Sequence, residues 1–231
     1  MILVSLSDTK ARKENFEQKS HQEISLFEEK KIYIFLKRTL DILGALIGIV
    51  LLLPLFFIIT ILIKVEDRKG PVYFKQTRVG QNEKKFTMYK FRSMVSNAEE
   101  LLENLLDQNE TTGAMFKMKN DPRITRVGRF IRKTSIDELP QLINVLKGDM
   151  SLVGPRPPLL REVKEYSEYH KKRLLVKPGC TGLWQISGRS NVGFEEMVEL
   201  DLKYIKKNNI FFDIYIIFKT IKIMFGSTDA F

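Results

Sequence analysis

An acidic pair and two arginine-bearing loops hold the residue types best suited to chemistry. Asp137 and Glu138 sit in the run Thr134-Ser-Ile-Asp-Glu-Leu-Pro-Gln-Leu142. Pro140 suits the first turn of a helix, and the run to Lys147 ends at Gly148, a favoured helix C-terminal cap. The pair would then stand at a helix N-terminus, where the dipole keeps carboxylates ionised. A plainer reading competes: Ser135-x-x-Glu138 has the spacing of a capping box, with Asp137 adding dipole compensation. On spacing alone the plainer reading is the stronger. The segment Ser151-Leu-Val-Gly-Pro-Arg-Pro-Pro158 is too rich in proline for a helix or a central strand, so it reads as a shaped loop that fixes Arg156. A second loop, Lys177-Pro-Gly-Cys-Thr-Gly-Leu-Trp-Gln-Ile-Ser-Gly-Arg189, uses glycine for backbone freedom and ends on a charge.

Composition narrows the partners. The 231 residues carry 38 Lys and Arg against 28 Asp and Glu, a net charge of +10. Such a chain seeks anions: nucleic acid, phosphorylated substrates or acidic lipid headgroups. Sixteen Phe and 44% hydrophobic residues argue against a disordered basic tail protein. Cys180 is the single cysteine, which excludes an internal disulfide and a multi-cysteine zinc site, and it reads as a small buried or loop residue. With only His21 and His170 besides, a metal would have to be a hard ion held by carboxylates. There is no repeat, no Walker loop and no Rossmann glycine signature.

These groups need elements to place them. The first 30 residues are polar and charged, with no apolar leader, and read as a mobile or locally helical tail. Ile42 through Ile63 holds 22 residues without a charge, about 33 Å of helix and enough to cross a bilayer core. Pro54 at its middle removes a backbone hydrogen bond and bends the helix. Basic residues flank both ends (Lys30, Lys31, Lys37 and Arg38 before; Lys64, Arg68, Lys69, Lys75 and Arg78 after), so the positive-inside rule gives no orientation. A bent helix that dips in and returns fits these flanks better than a spanning one, and sequence leaves the choice open. Val72–Thr77 and Phe86–Phe91 predict a hairpin around residues 80–83. Helical patterns follow at Ala98–Leu106, 159–175 and Phe194–Lys207. Ile210–Phe225 is apolar but short for a span, and an interfacial helix suits it.

At KFRSM (90–94), KNDPRITRVGRFIRKTSIDELPQL (119–142), NVLKGDMSLVGPRPP (144–158) and KPGCTGLWQISGRS (177–190), the chain closely resembles the bacterial sugar transferase family, the small monotopic phosphoglycosyl transferases. The resemblance covers roughly residues 31–226. It implies a predominantly helical α+β fold: a tail (1–30), a Pro-broken re-entrant membrane helix (31–65), a cytosolic catalytic domain lying on the membrane (66–226) with a small hairpin and interfacial amphipathic helices, and a short tail (227–231). It also implies Mg²⁺-dependent transfer (Mn²⁺ serving as well) of a sugar-1-phosphate from a UDP-sugar to undecaprenyl phosphate, with release of UMP, at the cytoplasmic face of the bacterial inner membrane. Matched position by position, Asp137 is the nucleophile and Glu138 serves the metal. Lys90, Arg92, Arg156, Arg189 and Asp213 match the basic and acidic active-site positions, and Pro54 the helix-breaking proline. Leu53 precedes that proline where some members have serine. Larger members carry several spanning helices ahead of the catalytic part, which this sequence lacks. GAMFKMKNDPR (113–123) is closer to members using UDP-glucose or UDP-galactose than to those using diacetamido sugars. Expected partners are thus the UDP-sugar, undecaprenyl phosphate and anionic membrane lipids, not nucleic acid, with a homo-oligomer left open. The rival reading is a membrane-tethered basic adaptor without catalysis, in which the carboxylates would be dispensable.

Overall fold

The computed structural model describes residues 6–102, 105, 118, 120–188 and 192–226; for 6–29, Glu99, Leu102 and 224–226 it describes the backbone alone. The chain divides into two units, Met1–Leu40 and Asp41–Phe231. The first is helical from Leu6 onward, and its Ile32, Ile34 and Phe35 are exposed.

In the second unit helix α1 (Leu6–Glu66) continues to its end, with Pro54 inside and helical backbone on both sides. Its outward residues are apolar: Leu43, Ile47, Leu51, Phe57 and Val65 are all more than half exposed. A narrow stripe packs inward instead. Ala45 joins Met88, Val145 and Met150 in one core, and Ile59 and Ile63 join Phe91 and Ile131 in another. Strands β1 (Tyr73–Val79) and β2 (Lys85–Phe91) form the expected antiparallel hairpin, pairing Phe74 with Lys90 and Arg78 with Phe86. Alternation of exposed and buried residues along β1 is that of a sheet with one wet face.

Helix α2 is described over Ala98–Leu102, and the remainder of the run expected to Leu106 lies mostly outside the described residues. Helix α3 (Arg126–Lys133) is capped by the Thr125 hydroxyl, which accepts from the Gly128 amide. Helix α4 (Gln141–Lys147) ends at Gly148 with φ 87°, the left-handed cap that the glycine predicted. Residues 159–175 form three short pieces rather than one helix: α5 (Leu160–Lys164), α6 (Glu168–Lys171) and a 3-10 turn (Lys172–Leu175). Ser167 interrupts the run, because its side chain caps α6.

The proline- and glycine-rich loops contain more order than expected. Strands β3 (Ser151–Val153) and β4 (Gly179–Thr181) pair in parallel, and α7 (Leu183–Ser187) follows directly. Backbone contact between the loops is so close that a Cβ on Gly179 would lie 2.1 Å from the Gly154 amide nitrogen, which only glycine permits. Helices α8 (Phe194–Lys207) and α9 (Ile210–Gly226) match the expected patterns within a residue. A third core, Val153, Leu183, Tyr204 and Ile216, fastens them to β3. The outward face of α9 remains apolar, with Phe211, Tyr215, Phe218 and Ile221 exposed.

Two carboxylates tie α1 to the rest of this unit. Asp41, 3% exposed, accepts hydrogen bonds from the Ser151 hydroxyl (2.9 Å) and the Leu152 amide (2.8 Å). Glu66, 25 residues further on, accepts from the first amides of α3, Arg126 (2.7 Å) and Val127 (3.2 Å). The second contact places negative charge where a helix N-terminus favours it.

Candidate active site

Asp137 and Glu138 do not occupy the first turn of α4. They form a separate 3-10 turn, Ile136–Glu138, entered through Ser135 with φ 57°. The left-handed Ser135 carries the chain sharply out of α3. Its side chain makes no cap, so the capping box that spacing favoured does not form. Asn144 fixes the turn's surroundings from α4: it accepts from the Tyr89 amide at 3.0 Å and donates to the Thr87 carbonyl at 2.7 Å. That docks α4 on β2 beside Lys90.

Lys90 then reaches Glu138, Nζ to Oε1 2.6 Å. Burial alone would raise Glu138, but the Lys90 ammonium overrides it, with help from Arg156 and Arg78, and holds the carboxyl below its usual range. Asp137 is treated differently. It is 8% exposed, and burial pushes it up to about 6, with Lys90 pulling back, Glu138 adding repulsion and Arg132 opposing. Adjacent carboxylates with opposite shifts are a recognised mark of divided chemical labour. One stays charged and paired, while the other is buried and poised near neutrality.

Arg156 lies close enough to Glu138 for its charge to lower it. Its guanidinium donates to Glu162 at 3.1 and 3.4 Å, and Glu162 is 2% exposed. The structure therefore gathers Asp137, Glu138, Lys90 and Arg156. Arg92 lies elsewhere: it is 7% exposed and binds the Asp67 carboxylate at 2.6 Å and the Ser96 hydroxyl at 3.0 Å, bracing the turn after α1. Asp213 is fully buried on α9, its Oδ1 2.7 Å from the Tyr204 hydroxyl, which lies 3.2 Å from the Val153 carbonyl. Through Tyr204 it braces Val153, at the base of the Arg156 loop. Arg189 and residues 113–117 lie outside the described residues.

Sequence reasoning missed Arg78, which it counted only among the flanking cations. Its guanidinium, 7% exposed, donates to the Pro157 carbonyl at 2.9 Å and twice to Gln76 Oε1, at 3.1 and 2.7 Å. Burial, then the Arg156 charge, holds Arg78 down at about 9. Gln76 and Arg78 share one strand face two residues apart, a spacing that could have drawn notice.

Among the described residues no group of three or more His, Cys, Asp or Glu gathers to form a metal cage. Two adjacent carboxylates do fit Mg²⁺, which takes one or two carboxylates and completes its shell with water and substrate phosphates.

The galactosyl transferase CpsE of Streptococcus agalactiae serotype III (strain NEM316) is 52% identical over 204 residues, covering 87% of this chain and 44% of that protein. An undecaprenyl-phosphate galactose phosphotransferase of Salmonella typhimurium (strain LT2) is 48% identical over 201 residues, covering 85% and 42%. The chain thus spans less than half the length of these two relatives. The exopolysaccharide production protein ExoY of Rhizobium meliloti (strain 1021) is 42% identical over 189 residues, covering 80% of this chain and 83% of ExoY. Residues 32–227 match the bacterial sugar transferase family, and the chain belongs to it.

Proposed function

We propose that this chain transfers a hexose-1-phosphate, with galactose favoured over glucose, from a UDP-sugar to undecaprenyl phosphate on the cytoplasmic face of a bacterial membrane. The observation that carries the reading is the poised, buried Asp137 beside a lysine-paired Glu138 and the Arg156 loop. Galactose is favoured because the printed names of two relatives specify it. The step opens a polysaccharide or glycoconjugate chain, in keeping with the name of ExoY.

The chemistry follows from charge. A diphosphate repels a carboxylate nucleophile, so cations must offset it first. Lys90 and Arg156 supply two, and a Mg²⁺ ion held by Glu138 would supply Lewis-acid neutralisation of the diphosphate. An Asp137 oxygen then attacks the sugar-bearing phosphorus. The bond from that phosphorus to the bridging diphosphate oxygen breaks, UMP leaves with this oxygen and the electron pair, and an aspartyl phosphosugar remains. An oxygen of the lipid phosphate attacks the same phosphorus, the acyl–phosphate bond breaks, and the Asp137 carboxylate is restored. Donor and acceptor, both anionic, visit in turn. A non-enzymatic adaptor has no use for a buried, poised aspartate, and no observation favours that reading.

UDP-galactose with Mg²⁺ and no lipid phosphate should release UMP equal to the enzyme present and leave the phosphosugar on the protein, seen by intact mass after acid quenching. Enzyme active in the complete mixture yet showing neither burst nor adduct would assign Asp137 another role.

Membrane attachment is read as monotopic. Asp41 and Glu66 bound about 37 Å of helix, yet both bind elements of one folded unit. A span would put those ends on opposite sides of the bilayer. The exposed apolar residues of α1 and α9 then enter lipid from the side, each gaining about 1.5–3 kcal/mol on leaving water, while basic residues meet anionic headgroups. Cysteines engineered near Lys13 and near Lys84 should both escape an impermeant thiol reagent in intact cells. Burial pushes the native Cys180 thiol up, which keeps its background low. External labelling near Lys13 would establish a spanning helix.

A further inference from the structure

The loop that carries Arg156 is held by its carbonyls. Prolines at 155, 157 and 158 have no amide hydrogen to offer, so at those positions the backbone anchors through its oxygens. Each of four consecutive oxygens has a donor. The Gly179 amide serves Pro155 (2.9 Å), Arg173 serves Arg156 (3.4 Å), Arg78 serves Pro157 (2.9 Å) and the Val79 amide serves Pro158 (3.0 Å). Arg78 also lies close enough to Glu138 and Arg156 for their charges to act on one another. Its three hydrogen bonds to protein use three of five N–H donors. The Arg156 charge opposes the Arg78 charge, and the Glu162 and Glu138 carboxylates offset part of it. An incoming diphosphate would offset the rest.

Resting on the sugar-phosphate transfer proposed above, we infer that Arg78 is a positioning residue for the donor. Through the Pro157 carbonyl it sets the Arg156 guanidinium against the acidic pair, and Gln76 aims its fork. The Arg156 guanidinium is then the group that meets the donor's diphosphate, and Arg78, hidden in a strand, holds it in place. Lysine at 78 keeps the charge but cannot reach Pro157 and Gln76 together, because it lacks the planar fork.

The test is steady-state UMP release with UDP-galactose as the varied substrate, in detergent-solubilised full-length protein. Arg78→Lys should raise KM for the donor about tenfold and change kcat less than about threefold, while Arg156→Lys does the same. In the Arg156→Lys background the Arg78→Lys change should then add less than about twofold, because both act through one guanidinium. An unchanged KM in Arg78→Lys overturns the inference, as does multiplication of the two effects in the double variant. Should Arg78→Lys not fold, Gln76→Ala replaces it: it loosens the fork from outside and should raise KM about threefold, and no rise overturns the inference. Wild-type protein that releases no UMP from any UDP-sugar would instead sink the transfer reaction itself.

Discussion

Asp137→Asn should lower UMP release by three or more orders of magnitude while the protein still folds and binds membrane, since removing a nucleophile acting as part of a unit costs on that scale. The amide keeps the shape of the side chain and loses its attacking charge. Glu138→Gln should also lose activity by orders of magnitude, because it breaks the 2.6 Å pair with Lys90 and removes a hard oxygen ligand. The two variants differ in the burst experiment, where Asp137→Asn forms no adduct at all. The pH profile carries the same information. Asp137, raised to about 6, loses its nucleophilic form as pH falls through that value, so UMP release should drop on the acid side near pH 6. Glu138 is held below its usual range by Lys90 and stays charged there. An Asp137→Asn enzyme within a few-fold of wild type would end the covalent mechanism.

Chelation should have an equally large effect. EDTA is expected to abolish turnover, with Mg²⁺ or Mn²⁺ restoring it and zinc failing. The argument is the donor set. An oxygen ligand from Glu138, with no thiolate or imidazole cluster among the described residues, suits hard ions. Full turnover in chelator would mean that Lys90 and the arginines alone neutralise the diphosphate.

What was legible in the sequence depended on local signals. The β1–β2 hairpin, α8, α9 and the Gly148 cap were all readable, because alternation, helical period and glycine chemistry act within a few residues. The acidic pair was identified, but its setting was misplaced: Ser135 turns left-handed and inserts a 3-10 turn that no propensity rule anticipates for serine. Strands β3 and β4 were invisible. Each is three residues long and borders glycine and proline, and each exists only because its parallel partner arrives from 28 positions away in the register Ser151–Gly179. Arg92 carries the same motif signal as Lys90 two residues earlier, yet Asp67 claims it, a contact across 25 positions. Arg78 failed the other way. A lone arginine in an alternating strand looks like surface, and its burial becomes apparent only once the proline loop closes over it.

The inward stripe of α1 bears on how the molecule is made and handled. Ala45, Ile59 and Ile63 complete two cores whose other members come from β2, α3, α4 and the turn before β3. Cutting the chain after residue 66 would therefore leave those cores open and exposed to water rather than release a soluble enzyme. During synthesis the apolar helix emerges first and must wait, with its buried stripe unpaired, for about 85 further residues. A bilayer surface that shelters α1 for that interval works as a folding template. Detergents that coat the outer face of α1 without wedging under it should be the ones that keep the protein alive in solution.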